Sequence, residues 1–460
     1  MLFPYLKTEN IDVSNAYRLA VSTVFCNTVP YNNGKKEEVV LSAGLEYEAP
    51  WTRDSAINTW NGCGLICPDI TKRTLLGILD DDGTVGGYAG QNWDNIIWVI
   101  GAWYQYLYTG DREFLQTLYT AATKTLARFE EEAFDSETGL FVGAACYGDG
   151  IAAYADRYAT HGGSGIVDSP GYKKFKMCTL STNCLFYAAY IIADLAAAQL
   201  HTNGLYAKKA EALKNSINNL LWCEERGIYY YYVDTEGKDD ALEGLGNAFA
   251  ILLGVADERQ AKLIAENQYV SPHGIPCVYP SYSRYTKYGE NCFGRHSGTV
   301  WPFIQGFWAD AAARTGRTDL FDKEFLTQTE NSVKAGQFYE IYHPLTGEPY
   351  GGLQESHGEI IEWRSMQFQT WSATAYLRNI YMDIFGMRFY EDGIRFDPCG
   401  SDILGDRATL SGIKYRECEI SLTISGKGSK IKEFKINNVI SEPFVAADTK
   451  GKVNVDIIMG

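Results

Sequence analysis

Three stretches of this sequence set carboxylates beside the side chains that hold polyhydroxylated ligands. The first, Ala49-Pro50-Trp51-Thr52-Arg53-Asp54-Ser55-Ala56, puts an Arg and an Asp next to each other at the start of a predicted helix, with Trp60 following. Asp before a helix is a common N-cap, and an Arg–Asp neighbour pair is often a surface ion pair. The flanking tryptophans favour ligand binding, because Arg supplies a rigid fork of donors while Asp accepts two hydroxyls at once. The second stretch, Gly148-Asp149-Gly150-Ile151-Ala152-Ala153-Tyr154-Ala155-Asp156-Arg157-Tyr158, gathers two acids, an Arg and tyrosines around small residues. A solvated loop has the same composition. The third, Phe338-Tyr339-Glu340-Ile341-Tyr342-His343-Pro344-Leu345-Thr346-Gly347-Glu348, seats Glu340 among aromatics and precedes Gln369-Thr370-Trp371-Ser372-Ala373. Two segments add binding candidates: Trp93 and Asp94 beyond Gly87-Tyr88-Ala89-Gly90, and His296 and Trp301 in Arg295-His296-Ser297-Gly298-Thr299-Val300-Trp301-Pro302. Asn92 or Asp94 equally suits a helix cap, and Trp301 equally suits a core. His296 reads as a hydrogen-bond partner, since no His-x-His or His-Glu-x-x-His spacing accompanies it.

Helical periodicity positions these stretches. Apolar residues recur at helical spacing over 92–110, where Gly110 fits a C-terminal stop, and over 112–131, 180–200, 206–222, 242–254 and 258–267. The same holds for 298–315, 320–334 and 366–385, and for shorter segments near 13–27, 54–62 and 70–80. About twelve helices in successive pairs suggest a mainly α fold, an (α/α)6 toroid of helical hairpins over residues 1–388. Loops 137–179, 268–297 and 336–365 are long for a compact domain, which points to function. From about Glu391 the pattern turns to short alternating runs, which predicts a small antiparallel, sandwich-like β-domain over 389–460 packed on the helices.

The first and third stretches carry a resemblance. Trp51-Thr52-Arg53-Asp54-Ser55-Ala56 looks like the glucoamylase signature, and the same position recurs in six-hairpin glycosidases such as trehalases, processing α-glucosidase I and mannosylglycerate hydrolase. Carried over, Arg53 and Asp54 bind the sugar at the cleaved bond, with Trp51 beside them. Trp93 and Asp94 resemble a sugar-contacting segment, and Trp301 a pocket-lining one. The Glu340 stretch resembles the group's Glu, aromatic, Thr-Gly and Trp-Ser series, which implies that Glu340 is the general base; Glu355, Glu359 and Glu362 compete with it. The group's Ser-Gly-Leu-Asp-Asp-Tyr-Pro acid motif, laid on residues 148–155, meets Ala152 where the acid belongs. Asp149 and Asp156 are the substitutes, and Asp149 is preferred because its flanking glycines allow close approach. The segment Glu391-Asp392-Gly393-Ile394-Arg395-Phe396-Asp397-Pro398 resembles the closing β-domain of such enzymes.

The implied chemistry is inverting hydrolysis of an α-linked glycoside or oligosaccharide, with one carboxyl protonated and the other ionised. The acid then needs a raised pKa. No metal or organic cofactor is demanded. A phosphorylase using Arg295 and His296, a sugar epimerase and a non-catalytic glycan-binding protein are the alternatives. Only six histidines occur, none paired at helical spacing, which disfavours the epimerase. A net charge of −16, without a basic block, argues against nucleic acid and anionic membranes as partners. The start shows no signal peptide, and eleven scattered cysteines suit reduced thiols, so a cytoplasmic location is expected, or a periplasmic one if a leader has been removed. Aromatics make up 14% of the chain, including 32 Tyr and 10 Trp, an excess that suits walls around a sugar pocket.

Overall fold

The computed structural model describes every residue except Met1, Leu2, Asn33, Lys35 and Lys36. Among the described residues, six helices pack successively in a ring: Thr52–Asn58, Asn92–Thr109, Leu180–Gln199, Gly244–Leu252, Pro302–Arg314 and Thr370–Arg378, the last returning to the first. These helices are buried over most of their surface, including the polar residues of Thr52–Asn58 and Thr370–Arg378. Around them lie Ile11–Cys26, Pro68–Gly77, Arg112–Glu132, Ala207–Leu221, Glu258–Asn267 and Thr318–Ala335. Arg112–Glu132 shows the difference: Leu115, Leu118, Ala122, Leu126 and Phe129 face inward, and Lys and Glu positions face water.

Trp60 fills the middle of the ring. Its indole lies 4.6 Å from Phe307 and 5.8 Å from Phe249, ring centre to ring centre. The Arg378 guanidinium covers it at 4.9 Å and is held by Asp310 at 2.5 Å. Trp60, expected in a sugar wall, is therefore core.

Several elements went unread in the sequence. The hairpin Thr28–Asn32 with Glu37–Leu41 and the hairpin Leu353–Ser356 with Glu359–Glu362 interrupt the helical part. Tyr5–Lys7 pairs antiparallel with Arg407–Tyr415, so the beginning of the chain shares a sheet with its end. That sheet runs Tyr5–Lys7, Arg407–Tyr415, Cys418–Gly426, Gly451–Met459, Ile431–Ile436, Val439–Ile440. The expectation of an antiparallel C-terminal domain is corrected at its centre, where Cys418–Gly426 and Gly451–Met459 run parallel. Alternation reports which face is buried and says nothing about strand direction. A three-stranded sheet, Met387–Tyr390, Gly393–Phe396 and Phe444–Ala446, joins it to the helices.

The contact between the first two ring helices is unusually close. A Cβ on Gly101 would stand 2.5 Å from the Ala56 Cα, which is backbone and cannot yield cheaply. Helix propensity alone makes Gly→Ala stabilising by about 0.5–1 kcal/mol. Overpacking costs about 1–3 kcal/mol and outweighs it. Gly101→Ala is therefore expected to lower the Tm in thermal unfolding; an unchanged or higher Tm contradicts this packing.

Candidate active site

Four of the six ring helices present their N-terminal ends to one cavity. Arg53 and Asp54 lie in the first turn of Thr52–Asn58, directly after extended Trp51. Trp301 precedes Pro302–Arg314, Trp371 lies in the first turn of Thr370–Arg378, and Gln91 precedes Asn92–Thr109. All of these line a cavity of 320 Å³, together with Asp149, His296 and Glu340.

Arg53 is buried beneath it. Its Nη1 donates to Cys146 O at 2.9 Å and lies 3.2 Å from Asp94 Oδ1, while Nη2 reaches Asp149 Oδ2 at 3.4 Å. Burial pushes the Asp54 carboxyl up to about 8, with Arg53 opposing and Asp94, Glu340 and Asp149 adding to the rise. Burial likewise pushes Asp94 up to about 7, again against Arg53. Asp149 behaves in the opposite way. Burial would raise it, but Arg53, a hydrogen bond with His296 and the more distant Arg295 hold it well below the usual carboxylate range. The raised pKa expected of an acid at Asp149 is thus not found there. Its side chain is 34% exposed, against 4% for Glu340, so it is the carboxyl of the pair open to solvent.

Arg295 and His296, adjacent in the chain, each grip one of these two carboxyls. Arg295 Nη2 donates to Glu340 Oε2 at 2.7 Å, and His296 Nε2 lies 3.3 Å from Asp149 Oδ1. Tyr47 donates to the other Glu340 oxygen at 3.2 Å. His296 Nδ1 lies 3.0 Å from Gln354 Oε1. Burial, first of all, lowers the His296 pKa against the pull of Asp149. The Nε2–Asp149 contact holds one hydrogen, carried by one partner or the other. Glycine is required beside it: a Cβ on Gly150 would come within 2.2 Å of Gln354 Oε1 and 2.5 Å of the His296 ring.

The aromatic walls belong to the same elements. Trp301 stacks on His296 at 5.1 Å, its Nε1 donates to Arg295 O at 3.0 Å, and Trp371 meets it edge-on at 5.8 Å. Glu340 sits in a loop fixed on both sides, its N–H donating to Met366 O at 2.9 Å and that of Tyr342 to Val300 O at 2.8 Å.

Of the residues singled out in the sequence, Trp51, Arg53, Asp54, Asp149, Arg295, His296, Trp301, Glu340 and Trp371 meet at this cavity. The others lie elsewhere. Trp93 is core, its indole fully buried, and Asp94 is buried below the cavity as a partner of Arg53. Asp156 and Arg157 point away, because Arg284 takes the first at 3.0 Å and Asp234 the second at 2.5 Å. Tyr342 is buried behind Glu340, its hydroxyl accepting from Tyr339 N at 3.1 Å. Among the competitors, Glu355 is buried against Arg284 at 2.8 Å, and Glu359 and Glu362 are exposed on the hairpin. Sequence reasoning missed Tyr47, Gln354, Trp363 and Arg284. A lone Tyr or Gln in a loop carries no spacing signal, and only the unread hairpin brings Gln354 and Trp363 to the cavity. Among the described residues, no cluster of His, Cys, Asp and Glu is arranged to hold a metal ion.

The family of the chain is shown by its sequence profile and its fold by solved structures. The chain belongs to the mannosylglycerate hydrolase MGH1-like glycoside hydrolase domain family, whose sequence profile matches residues 97–372. No curated protein matches. Solved structures with a similar fold include a sialidase (TM-score 0.71, 13% identity, covering 92% of this chain and 38% of that one). A GH78 family rhamnosidase from a Bacillus species follows at TM-score 0.65 and 14% identity, covering 99% of this chain and 44% of that one. The GH63 mannosylglycerate hydrolase from Thermus thermophilus, solved with glucose, is similar at TM-score 0.60 and 16% identity, with 79% and 99% covered. This chain thus spans less than half the length of the first two.

Arg284 ties the Asp149 loop to the hairpin that carries Gln354. It donates to Glu355 Oε1, Asp156 Oδ1, Ile151 O and Tyr154 O, at 2.7–3.0 Å. Arg284→Met strands Glu355 without its cation, which for a buried pair costs about 3–5 kcal/mol. A lowered Tm is expected by calorimetry; an unchanged Tm excludes Arg284 as the tie.

Proposed function

We propose that the protein is an inverting glycosidase acting on an α-linked glycoside or oligosaccharide, with Glu340 as general base and Asp149 as general acid. In this reading the ring of helices is an (α/α)6 toroid closed by the C-terminal β-domain, and Arg53 and Asp54 hold the reacting sugar. The observation that carries it is the Arg295–His296 bridge, which fixes one carboxyl on each of two separate elements around one cavity. Inversion needs a proton donor at the leaving oxygen and a carboxylate that activates water on the opposite face. The leaving group departs toward solvent, and Asp149 is the more open carboxyl of the two. To deliver a proton Asp149 must first take one up, which its lowered pKa confines to acid pH. Glu340, held by Arg295 and Tyr47, has both oxygens hydrogen-bonded and accepts the proton of the attacking water.

A phosphorylase is disfavoured by the fate of the cations. Arg53 is committed to Asp94 and Asp149, Arg295 to Glu340, and His296 to Asp149 and Gln354. Each already faces a carboxylate, which offsets its pull on an anion such as phosphate. A second reading of the acid has one observation in its favour: Asp54, pushed up to about 8, holds a proton at neutral pH.

The pH profile separates the two. A general acid works only while protonated, and kcat/KM reports the free enzyme. Both partners of the Asp149–His296 pair are depressed, so as pH rises their proton is lost on the acid side of neutrality, and kcat/KM should fall there. A descending limb near pH 8 assigns the acid to Asp54 instead. Glu340→Gln and Asp149→Asn are each expected to cut hydrolysis by about 10²–10⁴-fold with the fold intact by circular dichroism; near-wild-type rates in either variant refute its assigned role.

A further inference from the structure

We infer that the cavity opens into an outward subsite for a further neutral sugar unit, with Trp51 and Tyr88 as its platforms. This deepens the glycosidase reading and rests on it. A groove of 590 Å³ adjoins the cavity and shares Tyr47, Trp51 and Tyr88 with it. Of the ten tryptophans only Trp51 and Trp363 are exposed, at 38% and 36%, and both line the cavity. Tyr88, on the shared rim, is 54% exposed. Single exposed aromatics are ordinary, but the only exposed indoles of the chain, gathered with a tyrosine at one mouth, form a ligand surface. The apolar face of a sugar ring packs on such side chains while its hydroxyls stay wet.

The platforms are held in place before any ligand arrives. Gln91 N donates to Tyr88 O at 3.0 Å, and Thr52 Oγ1 donates to Gly86 O at 3.1 Å, tying the Tyr88 loop to the helix that carries Arg53. Beyond the aromatics the groove offers Glu48 and Asp80, while Glu46 is paired with Arg364. Among the described residues lining it, none is Lys or Arg. Carboxylates accept hydroxyl hydrogens and repel anions, so the unit bound here is a neutral sugar, not a uronate or an acid aglycone.

The test compares wild type and Tyr88→Ala on 4-nitrophenyl α-glycosides and on the matched α-linked trisaccharides of glucose, mannose and rhamnose. Trisaccharide binding to Glu340→Gln, with and without Tyr88→Ala, is measured by calorimetry alongside. Tyr88→Ala should lose at least about fivefold more kcat/KM on the trisaccharide than on the nitrophenyl glycoside, and should weaken trisaccharide binding by a similar factor. Equal losses on both substrates, or no loss on either, overturn the subsite and leave the glycosidase reading standing. Trisaccharide binding that Tyr88→Ala weakens, without hydrolysis of any probe by the wild type, overturns the glycosidase reading and keeps the subsite. Neither binding nor hydrolysis overturns both.

Discussion

A single buried cation, Arg53, organises the electrostatics of the site. Within its reach stand Asp94 and Asp149, with Asp54 adjacent in the chain. One guanidinium cannot keep three desolvated carboxyls ionised. Asp149, which also has His296 and the more open position, retains its charge; Asp54 and Asp94 are pushed toward the protonated form. The helix N-termini around the cavity favour anions, but only by about 0.3–1 kcal/mol each. Burial is the larger effect for Asp54 and Asp94, and it prevails. The result is a cavity in which Asp149 is held toward the carboxylate form while Asp54 and Asp94 lean to the protonated one, so the proton for cleavage has to be supplied to Asp149 rather than stored on it.

Geometry is set by a different device. Consecutive residues Arg295 and His296 reach opposite carboxyls, so the distance between the proposed acid and base is fixed by one peptide unit and two side chains. Behind them the Trp301 indole is anchored to the Arg295 carbonyl and stacked on the imidazole. Arg284 performs the same service one layer out, joining the Asp149 loop to the hairpin that presents Gln354. Loops carry the chemistry, and buried arginines give those loops the rigidity of the helices.

The outer helices were legible in the sequence because burial on one face leaves a period of about 3.6 residues, and ring helices such as Leu180–Gln199 because burial on most faces leaves a long apolar run. The first-turn motifs were legible for a related reason: Trp51-Thr52-Arg53-Asp54 begins a helix, so its position follows from the helix itself. Glu340 and Asp149 were placed by resemblance and by flanking glycines, and both reach the cavity. What could not be read is contact between distant segments. Asp156, second to Asp149 as the acid, and Arg157, a binding candidate, read as site residues, yet Arg284 and Asp234, remote in the chain, draw them away. Trp93 and Trp60 carry the same indole as Trp51 and Trp301 but lie on the buried sides of their helices. The excess of aromatics therefore divides: much of it packs the ring, and a smaller set walls the cavity. The parallel strand pair was illegible for want of any signal in alternation.

Stereochemistry tests the central claim most directly. Proton NMR of the first sugar released from an α-linked substrate, recorded before mutarotation, reads the configuration at the anomeric carbon. Water activated by Glu340 and a proton delivered by Asp149 from opposite faces predict the β-anomer as first product. Initial release of the α-anomer means a covalent intermediate, and contradicts the roles assigned to both carboxyls.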